Sequence, residues 1–376
     1  MTQCGIPAVF MRGGTSKGVF FHADDLPAER AQWDPIFLAA IGSPDAYGRQ
    51  LNGLGGGISS LSKAVVVGPS SVDDADVDYT FGQVAVDAPV VDYSTTCGNL
   101  SSAIGPYAVD AGLVAATGAE TLVRVHITNT GKRYHARLAT VDGRFQEAGD
   151  FVIPGVTGGG SRIRLDFLDP GGATTGELLP SGQALDVIQV PSDGDYEVSM
   201  VDASTACVFV AAERFGLTGV ETVAEFEADV ELMTRLERLR RAAAVRMGLA
   251  GSEADAALAN PKIGLVAPSA TYRTLAGEEV APADADVTAR ILSMGQVHRV
   301  LPLTGAMCLA VACRIPGSVA ERVCAAADGD IRLANPSGVL PVDSTVSIVG
   351  NRPRAETVTV YRTARAMMEG RVLVPD

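Results

Sequence analysis

Cysteine is scarce in this chain. Six in 376 residues (Cys4, Cys97, Cys207, Cys308, Cys313, Cys324) include no Cys-x-x-Cys pair. So thin a set builds no disulfide framework and points to a reducing, cytoplasmic setting. Histidine is scarcer still, with four residues and no His-x-x-x-His spacing, so no metal site is expected. Long apolar runs are missing too. The longest helical one, Leu301 to Cys313, meets Arg314 at once and falls well short of the ~20 residues of a membrane span. The opening MTQCGIPAVFMRGG lacks a basic segment followed by an apolar core, so no signal peptide is expected. Net positive charge is also absent. A net charge of −14 and a pI near 4.8 argue against nucleic acid or an anionic membrane as partner. An anionic small molecule stays allowed, because local Arg, Lys and helix N-termini can override the global field.

What is present is apolar material, 47% of the chain, enough for two domains with full cores. The stretch Ser94-Thr95-Thr96-Cys97-Gly98-Asn99-Leu100 leads into SSAIGPYAVDAGLV. Thr95 and Thr96 offer hydroxyl caps, and Gly98 lets backbone approach a ligand. Residues 100–114 are small or apolar on nearly every side, which predicts a buried helix with its N-terminal amides aimed at whatever lies above. Cys97 stands at that mouth. It reads either as a small buried hydrophobe or as a thiol activated by the helix end.

Residues 6–21 read as strand, turn and strand, with Arg12, Thr15 and Ser16 in or beside the turn. The order Ser16-Lys17-Gly18 rejects a phosphate loop, which needs Gly, then Lys, then Ser or Thr. A dinucleotide fingerprint also fails at residues 52–67, where Ile58 and a following strand replace the third Gly and the helix. Lys63 heads that strand. It is either an edge gatekeeper or an amine with lowered pKa in a partly dry pocket. Further on, alternation predicts strands at 78–92, a hairpin at 121–141 turning at Gly131, and two strands within 149–168. The segment 169–183 reads as a loop, and strands follow at 185–190, 196–201 and 206–211. One long helix is predicted over 221–247, with Val223, Phe226, Val230, Met233, Leu236 and Leu239 as its stripe. Its arginines (Arg235, Arg238, Arg240, Arg241) read as a solvated face.

Self-comparison finds three landmarks repeated in order. Met11–Phe21 matches Met200–Val210, the run from Ser62 echoes the run from Pro261, and the apolar helix after Cys97 has a counterpart after Pro302. This predicts an α+β duplication of two domains, each a bent, mostly antiparallel sheet around a central apolar helix. Residues 1–148, rejoined by C-terminal strands at 353–376, make the first domain, and residues 149–352 make the second. Face to face, they would aim both helix N-termini into one anion-binding cleft.

The motifs MRGGTSKGVFF, GGxxSSxSK, FGQVAVD, STTCGNLSSAIGPYAVDAGL, LLPSGQALDV, Asn260-Pro261-Lys262 and SMGQVHRVLPLTGA together resemble the PrpF family over essentially the whole chain. That family holds 2-methylaconitate cis–trans isomerases, methylitaconate isomerases, aconitate isomerases and 4-oxalomesaconate tautomerases. The resemblance implies the diaminopimelate epimerase-like fold. Pro302 falls where that fold keeps a second thiol, so a two-thiol racemase is not expected. It also implies cofactor-independent, allylic proton transfer on a small unsaturated polycarboxylate, with Lys63 as base and Cys97 as a second acid/base or a positioning group. Thr15, Ser16, Ser62, Gly98, Asn99, Ser293, Met294, Thr304, Gly305 and Ala306 would hold carboxylates. Lys262, His298 and Arg12 would add counter-charge, with His298 alternatively a core histidine. Methylitaconate isomerisation, 4-oxalomesaconate tautomerisation and a non-enzymatic carboxylate-binding role are the alternatives, and a homodimer is the expected assembly.

Overall fold

The computed structural model describes residues 3–94, 96–191 and 193–375; Thr95, read above as a helix cap, lies outside them. Its contacts divide the chain into two units, residues 1–168 with 361–376, and residues 169–360. The first begins with β1 (Gln3–Gly13), β2 (Ser16–His22), α1 (Trp33–Ile41), β3 (Lys63–Pro69), β4 (Val77–Val84) and β5 (Val91–Asp92). It continues through α2 (Ser101–Asp110), β6 (Glu120–Ile127), β7 (Lys132–Val141), β8 (Arg144–Phe145) and β9 (Ile163–Leu168). The second opens with β10 (Asp186–Val190), β11 (Gly194–Asp202), β12 (Ala206–Ala211), α3 (Val223–Ala228), α4 (Val230–Arg246) and β13 (Lys262–Ala267). A small ribbon of β14 (Tyr272–Arg273) and β15 (Glu279–Val280) precedes β16 (Val287–Ser293) and β17 (Gln296–Val297). Then come α5 (Leu303–Ala312), α6 (Val319–Val323), β18 (Ile331–Asn335), β19 (Gly338–Val349) and β20 (Arg352–Arg362). The chain crosses back within β20, and β21 (Ala364–Pro375) pairs antiparallel with β1.

Strand pairing carries the duplication. In the first unit the order is β21-β1-β2-β3-β4-β6-β7-β9, with only β2–β3 and β4–β6 parallel. In the second it is β10-β11-β12-β13-β16-β18-β19-β20, with only β12–β13 and β16–β18 parallel. The parallel steps fall at the same places, where a helix-bearing crossover separates the strands. Even the register agrees: Val19 stands beside Ala64, and its counterpart Val208 beside Ile263, so Lys63 and Lys262, each one residue earlier, hold equivalent positions.

Helix α2 packs on β1 and β21 at one end of its sheet and on β6, β7 and β9 at the other. Only a strongly curled sheet can meet one helix from both ends. Ser101 to Val109 are all buried, as an all-round apolar helix requires. Helix α5 is likewise buried from Gly305 to Ala312 and packs on β11, β12 and β19.

Four expectations need correction. Strand β9 pairs with β7, so the first boundary lies at 168 rather than 148; residues 353–360 lie in the second unit, where β20 pairs with β19. Residues 149–161 form no strand, only an isolated bridge between Phe151 and Gly160. The long helix is two helices, because Asp229 leaves helical geometry and its carboxylate caps α4 through Leu232 N at 2.9 Å. Val230 consequently points outward, and Leu232 takes its place in the core. Finally, Arg240 is not solvated. It is buried, grips Glu237 through two nitrogens at 2.7 and 2.8 Å, and donates to the carbonyls of Ala257 (2.8 Å) and Asn260 (3.3 Å). Arg240→Met strands those carbonyls and is expected to cost about 1.5–3 kcal/mol, read as a lower urea midpoint at unchanged m.

Candidate active site

Lys63 opens β3, an interior strand flanked by β2 and β4, so it guards no sheet edge. Its side chain is buried, with the residue 7% exposed. The amine donates to Gln83 Oε1 at 2.5 Å and lies 4.9 Å from the centre of the Phe81 ring. Burial pushes its pKa below the ordinary lysine value, while the charge and hydrogen bond of Cys97 push the opposite way and lose.

Cys97 lies in the turn four residues before α2. Its Sγ accepts from Leu100 N at 3.5 Å. Its carbonyl accepts from Ser101 N and Ser101 Oγ, each at 3.0 Å, and from Tyr79 OH at 3.5 Å. Tyr134 OH in turn donates to Ser101 O at 2.8 Å. The helix therefore starts behind Leu100 with no side-chain cap, and Thr96 does not supply one.

The β1–β2 hairpin closes over this place because glycines permit it. A methyl on Gly13 would lie 2.8 Å from Asn99 O and 2.9 Å from Leu100 Cα. One on Gly18 would lie 2.9 Å from Lys63 O. Gly14 and Thr15 form the two-residue turn, with Thr15 exposed and Ser16 buried. Gly98 and Asn99 lie half-buried between Cys97 and the helix. The hairpin, Lys63, Cys97, Gly98 and Asn99 thus come together in the first unit.

Arg12 has a structural part in the hairpin. Its Nη1 lies 3.0 Å from Gly14 O, Thr363 O and Thr363 Oγ1, and pins the hairpin turn to the chain just before β21. Ser62 is fully buried and turned into its own loop, with Oγ 2.7 Å from Gln50 Oε1 and 2.8 Å from Ile58 O. It positions the loop that presents Lys63.

In the second unit, the Lys262 amine donates to Thr205 Oγ1 at 3.1 Å, and that hydroxyl lies 3.2 Å from Asn260 Oδ1. His298 is half-buried. Burial, then the charge of Lys262, push its pKa below the ordinary histidine value. Both influences work against the cationic form that would supply counter-charge. Ser293 ends β16, buried, at the position equivalent to Gln83; Met294 follows in an exposed turn with φ 54°. Helix α5 starts after Pro302, leaving the first-turn amides of Leu303, Thr304 and Gly305 open. The Ala306 amide is already taken, donating to Pro302 O at 2.9 Å, as Ser101 N donates to Cys97 O. Cys97 and Pro302 therefore match, and the second unit lacks the thiol.

Sequence reading singled out neither Gln83 nor Thr205, although both lie beside the two equivalent lysines. Among the described residues no three His, Cys, Asp or Glu side chains converge to hold a metal, and no helix is long and apolar enough to cross a membrane.

The duplicated α+β scaffold, with a buried amine and a thiol at the mouth of its first central helix, is of the epimerase-like class. The PrpF protein family model matches residues 3–375. The chain is 39% identical to the 3-methylitaconate isomerase of Eubacterium barkeri, over 99% of this chain and 98% of that one. It is 38% identical to the 2-methyl-aconitate isomerase of Cupriavidus necator (99% and 98%) and to the 4-oxalomesaconate tautomerase of Pseudomonas putida (100% and 97%). A crystal structure of methylitaconate-delta-isomerase superposes with TM-score 0.94 at 38% identity, covering 100% of this chain and 96% of that one. A hydroxyproline epimerase from Agrobacterium vitis, 12% identical, shares the fold at TM-score 0.50, over 99% and 93%. The chain belongs to the PrpF family, and it is an isomerase.

Proposed function

We propose that the protein isomerises an unsaturated di- or tricarboxylate by taking and returning an allylic proton. The observation that carries this reading is the buried Lys63 amine, held below its ordinary pKa by burial and standing beside Cys97. A general base works best with a pKa near ambient pH, and desolvation brings an amine toward that range. Removal of a proton next to a carboxylate leaves a dienolate-like intermediate. Rotation about its temporarily single bond gives cis–trans isomerisation, and return of the proton at another carbon moves the double bond.

Carboxylate oxygens and developing charge need donors already in place. In the first unit, Gly98 and Asn99 with Thr15 and Ser16 are the groups assigned to this; the second unit carries candidate donors of its own in Thr304, Gly305 and Lys262. In that second unit His298 is a candidate for a further hydrogen bond, and Ser293 and Met294 are candidates for shaping specificity. Lys63 and Cys97 perform the step without a metal or an organic cofactor, in the cytoplasm.

A panel of trans-aconitate, 2-methylaconitate, methylitaconate and 4-oxalomesaconate, followed by absorbance and proton NMR, tests the reading. One of the four is expected to turn over with a kcat/KM at least about tenfold above the rest, in EDTA as well as without it. No turnover of any, or turnover lost to EDTA and restored by a divalent ion, sinks it.

A further inference from the structure

Gln83 faces Lys63 across the β3–β4 ladder. Its amide nitrogen donates to Ser62 O at 2.9 Å and Ser59 O at 3.1 Å. Carbonyls only accept, so these two contacts fix which end of the amide points where. Oε1 is therefore turned on the Lys63 amine, 2.5 Å away. Phe81, two residues earlier on the same strand, lays its ring against the same nitrogen. A long, flexible side chain is thus held at its tip by a residue that is itself held by backbone. Cys97 is the titratable group that acts on the amine from the helix side. From β2 the neighbour is Gly18, and Leu100 packs beside it; neither carries charge.

We propose that Gln83 is a positioning residue for the isomerisation, a neutral acceptor that aims the Lys63 amine without giving it a fixed counter-charge. The inference rests on Lys63 being the proton-transferring base. Both protonation states of an amine carry N–H groups, so the contact to Oε1 survives a cycle in which the amine takes up a proton and gives it back. A carboxylate in the same place would lock the ammonium form by an ion pair. An apolar side chain would leave the amine free to turn, and misplacing a reacting group by about 1 Å can cost ~10²-fold in rate.

The test compares Gln83→Leu and Gln83→Glu in the full chain, with Lys63→Met alongside. Gln83→Asn keeps an amide but draws it back by one methylene, and serves the same purpose should Gln83→Leu not fold. Three readouts are taken: kcat and KM on the best acid of the panel, the pH profile of kcat/KM, and the titration of ¹³Cε-labelled lysine. The chain has only four lysines (Lys17, Lys63, Lys132, Lys262), and Lys63→Met assigns the signal. Gln83→Leu is expected to lower kcat by about 10–100-fold with KM within about threefold, and to move the Lys63 titration down. Gln83→Glu is expected to move that titration up and carry the acid limb of the kcat/KM profile with it. Damage to the 59–62 loop alone would slow the enzyme without moving the amine in opposite directions. An unmoved Lys63 titration in both variants therefore overturns the proposal, whatever happens to kcat. An active Lys63→Met removes the base assignment and this inference together. An inactive Lys63→Met beside Gln83 variants of wild-type rate and titration removes this inference alone.

Discussion

Lys63→Met is expected to lower kcat by about 10²–10⁴-fold while KM stays within a few-fold, the signature of a lost general base. Methionine fills much the same buried channel next to Phe81, so the sheet and the hairpin above it should stand. Wild-type enzyme in D₂O is expected to wash deuterium into the allylic position of recovered substrate. The variant is expected to wash in none. Retained label exchange would take Lys63 out of the mechanism. The pH dependence follows from direction alone. The base must be unprotonated, so wild-type kcat/KM is expected to climb with pH through the lowered pKa of Lys63 and to level off below the ordinary lysine value of 10.5. A limb still rising near 10.5 would contradict burial as the controlling influence.

The same substitution is expected to stabilise the fold. Burial lowers the folded-state pKa of Lys63 below its unfolded value of 10.5. Below both values each state carries the proton, and the folded chain bears the full cost of a desolvated ammonium. Between them the unfolded chain binds a proton that the folded chain does not, so wild-type stability rises with pH across that window. Above 10.5 the penalty is gone. Lys63→Met should therefore melt higher than wild type at neutral pH, with the difference shrinking as the pH approaches 10.5. A strained, reactive group that costs stability is a common price of function.

Much of this site can be read from residue order, because duplication repeats its landmarks. Lys63 and Lys262 each stand at the head of a β-strand, and the ladders place them in equivalent register. The two apolar helices announce their burial by having no polar face. Gln83 could not be found that way. It lies twenty residues from Lys63, inside a motif that reads simply as an alternating strand, and only the antiparallel ladder sets it opposite the amine. Burial was hidden for a related reason. Nothing local distinguishes a half-buried His298 from a solvated one, nor an Arg240 that holds the carbonyls of Ala257 and Asn260 from its exposed neighbours. The break at Asp229 was legible in principle. Thr222 and Glu225 form a capping box ahead of α3, and Asp229 caps the next helix. A continuous apolar stripe masked both signals.

Cys97→Ser is expected to lower kcat less than Lys63→Met does, by about 10–10²-fold, and to keep deuterium exchange at the allylic carbon. Serine preserves the small polar group at the mouth of α2, where Leu100 N can still donate to it. It also preserves the backbone carbonyl that Ser101 and Tyr79 grip, so the turn before the helix should hold its shape. What it removes is acidity. A thiol is a far stronger acid than an alkanol, which does not ionise in the working range of a protein. If the thiol only orients the amine and the substrate, a hydroxyl at the same place does most of that work. If the thiol itself hands over a proton, serine cannot follow, and both exchange and turnover should fall as far as in Lys63→Met. Equal loss in the two variants would thus make Cys97 a second acid/base on the path. A smaller loss with exchange intact leaves Lys63 as the one group that carries the proton, both off the substrate and back onto it.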